Sequence, residues 1–187
     1  AWDEKTKLAK LSVQQEEKVD ANVVLFHVPL PVRFKVSDQV IDRKLQITKT
    51  AEDFYFPLAK APSIVRIDPG VTLLAKFNFT PSTALLHAQL ADDSDALGRL
   101  QAVELLAKCK DKTHVTKLRH ALQNDPFYGV RIAASRALRG ISSDDAFSAL
   151  IASTDQPNAK VRRQVISDIA SQYKPEALAA LKQSLAK

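Results

Sequence analysis

Four histidines and one cysteine are the residues of this chain whose types could hold a metal ion or act on a substrate. They are His27, His87, Cys109, His114 and His120. A zinc peptidase site places two histidines one helical turn apart, with a glutamate directly after the first, as H-E-x-x-H. None of the four histidines precedes a glutamate, and His114 and His120, six residues apart, would lie on different faces of a helix. The sequence also has no G-x-S-x-G turn, no Walker loop and no paired-cysteine zinc pattern. It therefore predicts no catalytic residue, metal ligand or cofactor in this chain.

Three arginines recur at a nearly fixed interval, and each has a planar fork of donors that suits a carboxylate. They are Arg99, Arg131 and Arg162, separated by 32 and 31 residues, and each follows an aspartate by six or seven residues: Asp93, Asp125 and Asp155. Each arginine falls near the predicted start of a helix, where the helix dipole disfavours a positive charge that no acid answers. The spacing predicts a structural ladder of Asp–Arg pairs, within or between repeats, rather than contact with a ligand. For Arg131 the candidate partners are Asp125 and Asp93.

The same interval governs the whole second half of the chain. Leu86, Leu118 and Leu150 are 32 residues apart and Leu181 follows after 31. Other apolar positions keep this step and fall at i, i+3 and i+7, which is one face of an α-helix. The pattern predicts four first helices, about 82–92, 113–123, 144–153 and 175–186, alternating with three second helices, about 96–109, 128–140 and 159–172. Two amphipathic helices per period in the low thirties are typical of a helical-hairpin solenoid.

The first eighty residues alternate apolar and polar side chains with a period of two, which is typical of β-strands. Every even position of Val24–Val36 is apolar, and shorter alternations occupy residues 10–14, 45–47, 54–58 and 71–79. Turn residues separate these runs, which favours a small antiparallel β-sandwich. Pro29 and Pro31 cannot donate to a ladder, so the strand that holds them is expected to be an edge strand or to be bulged there.

These two patterns predict an α+β chain of two domains. Residues 1–80 are expected to form the antiparallel β-sandwich, and residues 81–187 the HEAT-like superhelix of helical repeats. The boundary is placed near Thr80-Pro81, where the period changes and where Pro81 suits the first turn of a helix.

Charge and composition exclude several function classes. Residues 1–80 hold 12 basic and 10 acidic side chains, and residues 81–187 hold 15 and 11. Such interspersed charge is typical of a solvated surface, so nucleic-acid binding is not expected. No apolar run is long enough to cross a membrane. The piece is expected to be soluble, with the cytoplasm favoured over secretion although the single cysteine leaves the compartment open. The absence of methionine and the Ala-Trp start favour a piece of a longer protein.

Several stretches, taken in order, resemble a known family. They are "WDEKTKLAKLSVQQEEKVD", "FHVPLPVRF", "FYFPLAKAPSIVRIDPG" and "NDPFYGVRIAASRAL", the last of which is similar to a HEAT-type repeat. Together they resemble the C-terminal region of the aminopeptidase N family of zinc metallopeptidases. In that family a β-sandwich follows the catalytic domain and a helical superhelix follows the sandwich.

The resemblance implies a non-catalytic role. The missing H-E-x-x-H places catalysis and zinc in an N-terminal catalytic domain outside this chain, which would be its partner in cis. The sandwich would brace that domain, and the repeats would wall the chamber that admits the peptide substrate. An alternative is a protein-interaction scaffold, from a relative that has lost the zinc site.

Overall fold

The computed structural model describes residues 1–17, 24–109 and 111–185. Within them the chain is α+β, as predicted, with two antiparallel three-stranded sheets followed by seven α-helices. The chain divides into two compact units, Ala1–Leu85 and Leu86–Lys187. The domain boundary after residue 80 stays a prediction, because this division does not show that either part folds alone.

The first unit is built from two sheets that share one core. Its strands in the described residues are β1 Trp2–Asp3, β2 Leu8–Gln14, β3 Val28–Val36, β4 Gln39–Ile47, β5 Ala51–Pro57 and β6 Ile64–Ile67. One sheet has the order β1-β2-β5 and the other β4-β3-β6. Even positions of β3 from Leu30 onward are buried, as the alternation predicts, and Phe34 on this strand meets Phe56 of the other sheet with ring centroids 4.8 Å apart. Because the two sheets face each other across these side chains, the unit is a small sandwich.

β3 is the central strand of its sheet and pairs with β4 in unbroken register from Val28 to Val36, so both alternatives predicted from its prolines, an edge strand and a bulge, are wrong. Its pairing with β6 covers only Val32–Lys35, and both Pro29 and Pro31 precede that stretch. The carbonyl oxygen of Pro31 accepts the backbone N–H of Asp68 at 2.8 Å, just beyond the end of β6. In an antiparallel strand the nitrogen and the oxygen of one residue face the same neighbour. The prolines therefore lack an N–H only on the side where β6 does not extend.

Two stretches predicted as strand are not strand. Residues 24–27 and 71–79 alternate in sequence but pair with no strand in the described residues. Val24 is 72% exposed and Leu74 is fully exposed. Alternation makes a segment fit for a half-buried sheet, but the strand forms only where a neighbour supplies the ladder hydrogen bonds and the cross-strand contacts.

The helices follow the predicted repeat closely. They are α1 Thr83–Leu90, α2 Ala96–Cys109, α3 Val115–Asn124, α4 Tyr128–Gly140, α5 Asp144–Ile151, α6 Ala159–Ala170 and α7 Pro175–Leu185. The predicted helices are confirmed to within a few residues at each end, and a short 3-10 turn, Lys112–His114, precedes α3. Residue 186, the predicted end of α7, lies outside the described residues. None of the described helices has the length and apolar character needed to cross a membrane.

The residues that recur along the sequence form the core of the second unit. Leu86, Leu118 and Leu150 of the first helices are at most 2% exposed. The apolar residues that recur at the same interval in the second helices are also at most 2% exposed. Local hydrogen bonds fix where two of the helices begin. The Ser143 hydroxyl accepts the N–H of Ala146 at the start of α5, and the Asn158 side chain accepts two N–H groups at the start of α6. The loops between first and second helices are short, which places the arginines of the second helices beside them.

We expect residues 81–187 to fold without residues 1–80, because the core of the helical unit is built from residues 86–181. The isolated segment should give a helical circular dichroism spectrum and a cooperative thermal transition. Leu118→Ala, which removes a fully buried side chain, should lower its free energy of unfolding by about 2–5 kcal/mol. Thr116→Ala on the exposed side of the same helix is the matched control and should change it by less than about 0.5 kcal/mol. A segment that lacks a cooperative transition would disprove the predicted boundary.

Candidate functional site

Arg99 is the best-connected polar residue of the helical unit. It is the fourth residue of α2, and its Nε and Nη2 donate to the two carboxylate oxygens of Asp125 at 2.7 and 3.1 Å. Its Nη1 donates to the carbonyl oxygens of Asp92 and Asp93, both at 2.9 Å. The hydrogen bonds that Arg99 donates to Asp125 raise the pKa of Arg99, and burial acts in the opposite direction. The side chains of Arg99 and Asp125 are 3% and 5% exposed, so this pair is withdrawn from ligands.

The pair joins two successive repeats. Asp125 follows α3, and its Oδ1 also accepts the N–H of Phe127 at 2.8 Å, directly before α4. Arg99 therefore holds the loop of its own repeat through Nη1 and the loop of the next repeat through its fork. The sequence suggested that Asp125 pairs with Arg131. In the structure Asp125 pairs instead with Arg99, the arginine of the preceding repeat. Its position in the loop places it 26 residues after its partner, across the repeat interface.

Arg162 keeps part of this arrangement. It is the fourth residue of α6, and its Nη1 donates to the carbonyl oxygens of Gln156 and Pro157 at 2.7 and 3.0 Å. This matches the contact between Arg99 and the carbonyls of its own loop. Asp155, the acid predicted for Arg162, is exposed. The contact that Arg99 and Arg162 share is therefore a pair of hydrogen bonds from Nη1 to backbone carbonyl oxygens of the preceding loop.

Arg131 is the fourth residue of α4, and its environment differs. Its Nε is buried and has no hydrogen-bond partner among the described residues. Gln156 occupies the position of Asp125 one repeat later, and its Oε1 is also buried without a partner there. Arg131 and Gln156 are thus the pair that corresponds to Arg99 and Asp125 one repeat later. This pair has a donor and a neutral acceptor, and neither atom has a hydrogen-bond partner among the described residues.

A second buried polar group joins α4 to α6, and sequence reasoning missed it. The Ser135 hydroxyl donates to Oδ2 of Asp168 at 2.6 Å, and the Gln164 amide donates to Oδ1 at 3.0 Å. Arg139 approaches the same carboxylate at 3.4 Å. Asp168 is fully buried. The sequence carried a weak indication, because this aspartate is the single acid of α6 and lies on its apolar face.

The histidines form one close pair. Nε2 of His87 lies 3.4 Å from Nδ1 of His114, and the rings meet edge to face. Burial lowers the pKa of His87, and the nearby His114 and Lys117 lower it further. His27 and His120 are exposed. In the described part of the chain no three His, Cys, Asp or Glu side chains are grouped as a metal site would require.

The comparisons with known proteins bear on the helical unit. A family model of HEAT repeats matches residues 83–170 and again residues 115–187, so that its matches span more than half of the chain. No curated protein matches the chain.

We expect loss of the buried rung to cost far more than loss of an exposed ion pair. Asp125→Ala strands the Arg99 guanidinium in the interior, so the free energy of unfolding should fall by about 3–5 kcal/mol in urea titrations. Asp144→Ala is the control in the same unit, because Asp144 pairs with Lys174 at 2.8 Å but is 96% exposed. That variant should unfold at nearly the same urea concentration as the wild type, because solvent screens an exposed ion pair. Arg131→Ala should cost less than Asp125→Ala, because the buried Nε of Arg131 has no hydrogen-bond partner among the described residues that its removal would leave unsatisfied. Equal losses for Asp125→Ala and Asp144→Ala would refute the structural role of the rung.

We expect the helical unit to lose stability in mild acid through His87. Its pKa is lowered in the folded state, so the unfolded chain takes up the proton first, at a pKa of about 6.5. The stability contribution is therefore present above about pH 6.5 and is lost as the pH falls below it. His87→Gln should flatten the fall of the thermal midpoint between about pH 6.5 and 5. His120→Gln on the exposed side of α3 is the control for the loss of one imidazole, and a wild-type slope in His87→Gln would show that the pair is not responsible.

Proposed function

This chain belongs to the HEAT-repeat family, and on that premise we propose that it is a non-catalytic scaffold that binds other proteins through its helical unit. Helical solenoids present long surfaces made of equivalent positions on successive helices. The observation that supports this proposal is the burial of the Arg99–Asp125 pair. This pair joins two repeats in the interior, so the exposed side chains of α2, α4 and α6 are available to contact a partner.

A finer proposal names the setting of the scaffold. The four stretches that resemble the C-terminal region of aminopeptidase N enzymes support a chain that follows a zinc-containing catalytic domain. There the sandwich would brace that domain and the repeats would wall the peptide chamber. Zinc would belong to the parent enzyme, because no H-E-x-x-H occurs here. The order of a sandwich followed by HEAT repeats is consistent with this setting.

Exposed apolar side chains in the first unit support a large partner. Val24, Phe26, Leu74 and Phe77 are all at least 41% exposed, and they fall in the two stretches that alternate without forming strand. Exposed apolar surface is unfavourable in water and marks protein interfaces when it is extensive. A catalytic domain in cis is the occupant that the resemblance favours.

The alternative is a scaffold from a relative that has lost its zinc site. The in-frame coding sequence upstream of residue 1 separates the two settings. An H-E-x-x-H motif with a downstream glutamate ligand would support the enzyme setting, whereas a related domain without these ligands would support the alternative. The scaffold role itself is common to both.

We expect the purified chain to release no chromogenic amine from aminoacyl substrates and to bind no stoichiometric zinc, because it lacks the ligand set of a zinc peptidase. The assay uses the chain with added zinc, with and without a chelator, and the bound metal is measured after dialysis. A matched amount of heat-denatured chain gives the blank. Hydrolysis above this blank that the chelator abolishes would overturn the non-catalytic role.

A further inference from the structure

Two helices of this chain carry a large excess of positive over negative charge. α4 and α6 together carry six basic side chains and one acidic side chain: Arg131, Arg136, Arg139, Lys160, Arg162, Arg163 and Asp168. Their net charge of +5 compares with +6 for all 187 residues. The even mixture of charge that the sequence suggested over long segments therefore does not hold for these two helices.

Four of these cations lie on one side of the helix pair. Arg136 and Arg139 are three residues apart on α4, and Lys160 and Arg163 are three apart on α6, so each pair shares a helical face. Nε and Nη2 of Arg136 reach across to Oε1 of Gln164 on α6, at 3.1 and 2.9 Å. Gln164 lies one turn after Lys160, which places both pairs on the same side. All four cations are exposed, and we call them the basic face.

Little negative charge answers the basic face. Asp168 is the one acid of the two helices, and it is fully buried and shared among Ser135, Gln164 and Arg139. Arg136 is held by a neutral amide oxygen, which orients the guanidinium without cancelling its charge. Lys160 lies over the Tyr128 ring, 5.2 Å from its centroid. Among the ion pairs of the described residues, none includes Arg136, Lys160 or Arg163.

We infer that the basic face binds an acidic polypeptide segment, one with several aspartate or glutamate side chains. This inference rests on the proposed scaffold role and names the chemistry of its partner. Guanidinium groups form strong charge-assisted hydrogen bonds with carboxylates, and a carboxylate is a better acceptor for Arg136 than the amide it now contacts. Complementary charge of this kind sets the choice of partner and the rate of association.

A polypeptide fits the basic face better than a nucleic acid does. Single-stranded nucleic acids bind through a charged groove together with free aromatic rings on which bases stack. The Tyr128 ring beside Lys160 already has that ammonium over it and the Phe127 ring packed against it, with ring centroids 5.1 Å apart. Four cations also make a short site compared with the six to ten phosphate contacts of typical DNA-binding proteins.

The test is fluorescence anisotropy with the full chain and a labelled peptide of alternating glutamate and leucine. The glutamine version of the peptide and a single-stranded oligonucleotide are the comparison probes. We expect the glutamate peptide to bind, the glutamine peptide to bind at least about tenfold more weakly, and added salt to weaken binding of the glutamate peptide. Arg136→Glu combined with Arg163→Glu should weaken binding of the glutamate peptide by at least about tenfold.

The matched control is Arg119→Glu with Lys182→Glu, which changes the net charge equally at exposed positions of α3 and α7. It should bind nearly as well as the wild type. Lys160→Gln with Arg163→Gln tests the basic face without reversing charge, should the first variant fail to fold. If the variants of the basic face and the control variant bind the glutamate peptide equally, or if the wild type does not bind it, the inference that the basic face binds an acidic segment is wrong. Tighter binding of the oligonucleotide would replace it with a nucleic-acid surface. None of these results bears on the non-catalytic role, which the hydrolysis assay tests separately.

Discussion

The Arg99 guanidinium sets the spacing between the first two helical repeats. Its Nη1 holds two carbonyl oxygens of the loop before α2, and its fork holds a carboxylate in the loop before α4. Both loops are thereby tied to the start of one helix. A buried ion pair overcomes its desolvation cost only when its hydrogen bonds are well made. Here two nitrogen atoms of the guanidinium each donate to one oxygen of the Asp125 carboxylate. Asp125 also accepts a hydrogen bond from the backbone N–H of Phe127. The geometry thus gives the repeat interface one preferred register.

The next interface uses different chemistry. Gln156 stands where the first interface has Asp125, and its Oε1 and the Nε of Arg131 are both buried without a hydrogen-bond partner in the part of the chain that the structure describes. The buried polar connection between α4 and α6 is instead the hydrogen bond of Ser135 to Asp168, which lies on the helix faces themselves and not in a loop. A short hydrogen bond to a buried carboxylate is among the stronger polar contacts in a protein interior. The two interfaces are therefore each tied by one buried acid, placed in a loop in the first case and on a helix in the second.

The sequence was sufficient to predict the helices but not to predict which of the alternating segments form strands. A helix closes its own hydrogen bonds, so the period of Leu86, Leu118 and Leu150 predicted both the elements and the core. A strand needs a neighbour, and the alternation at residues 71–79 carried no information on whether one was present. The arginines were identified by their interval, but the partner of Arg99 was not, because Asp125 reaches back across the repeat interface. Ser135 and Asp168 are 33 residues apart and belong to no recurring pattern, so only the packed structure could bring them together.

The burial of Asp168 also determines what the repeats show to solvent. An acid on the outer side of α6 would neutralise its neighbours, as Asp144 does for Lys174. Placed in the interior, the carboxylate strengthens the interface between α4 and α6, and only Arg139 reaches it from the basic face. Salt screens exposed charges over about 8–10 Å, so cations on two adjacent helices still act together on a ligand that spans both. The same residue that joins the repeats thus pairs with only one cation of the basic face. An acidic segment can therefore bind Arg136, Lys160 and Arg163 without first breaking an ion pair among the described residues.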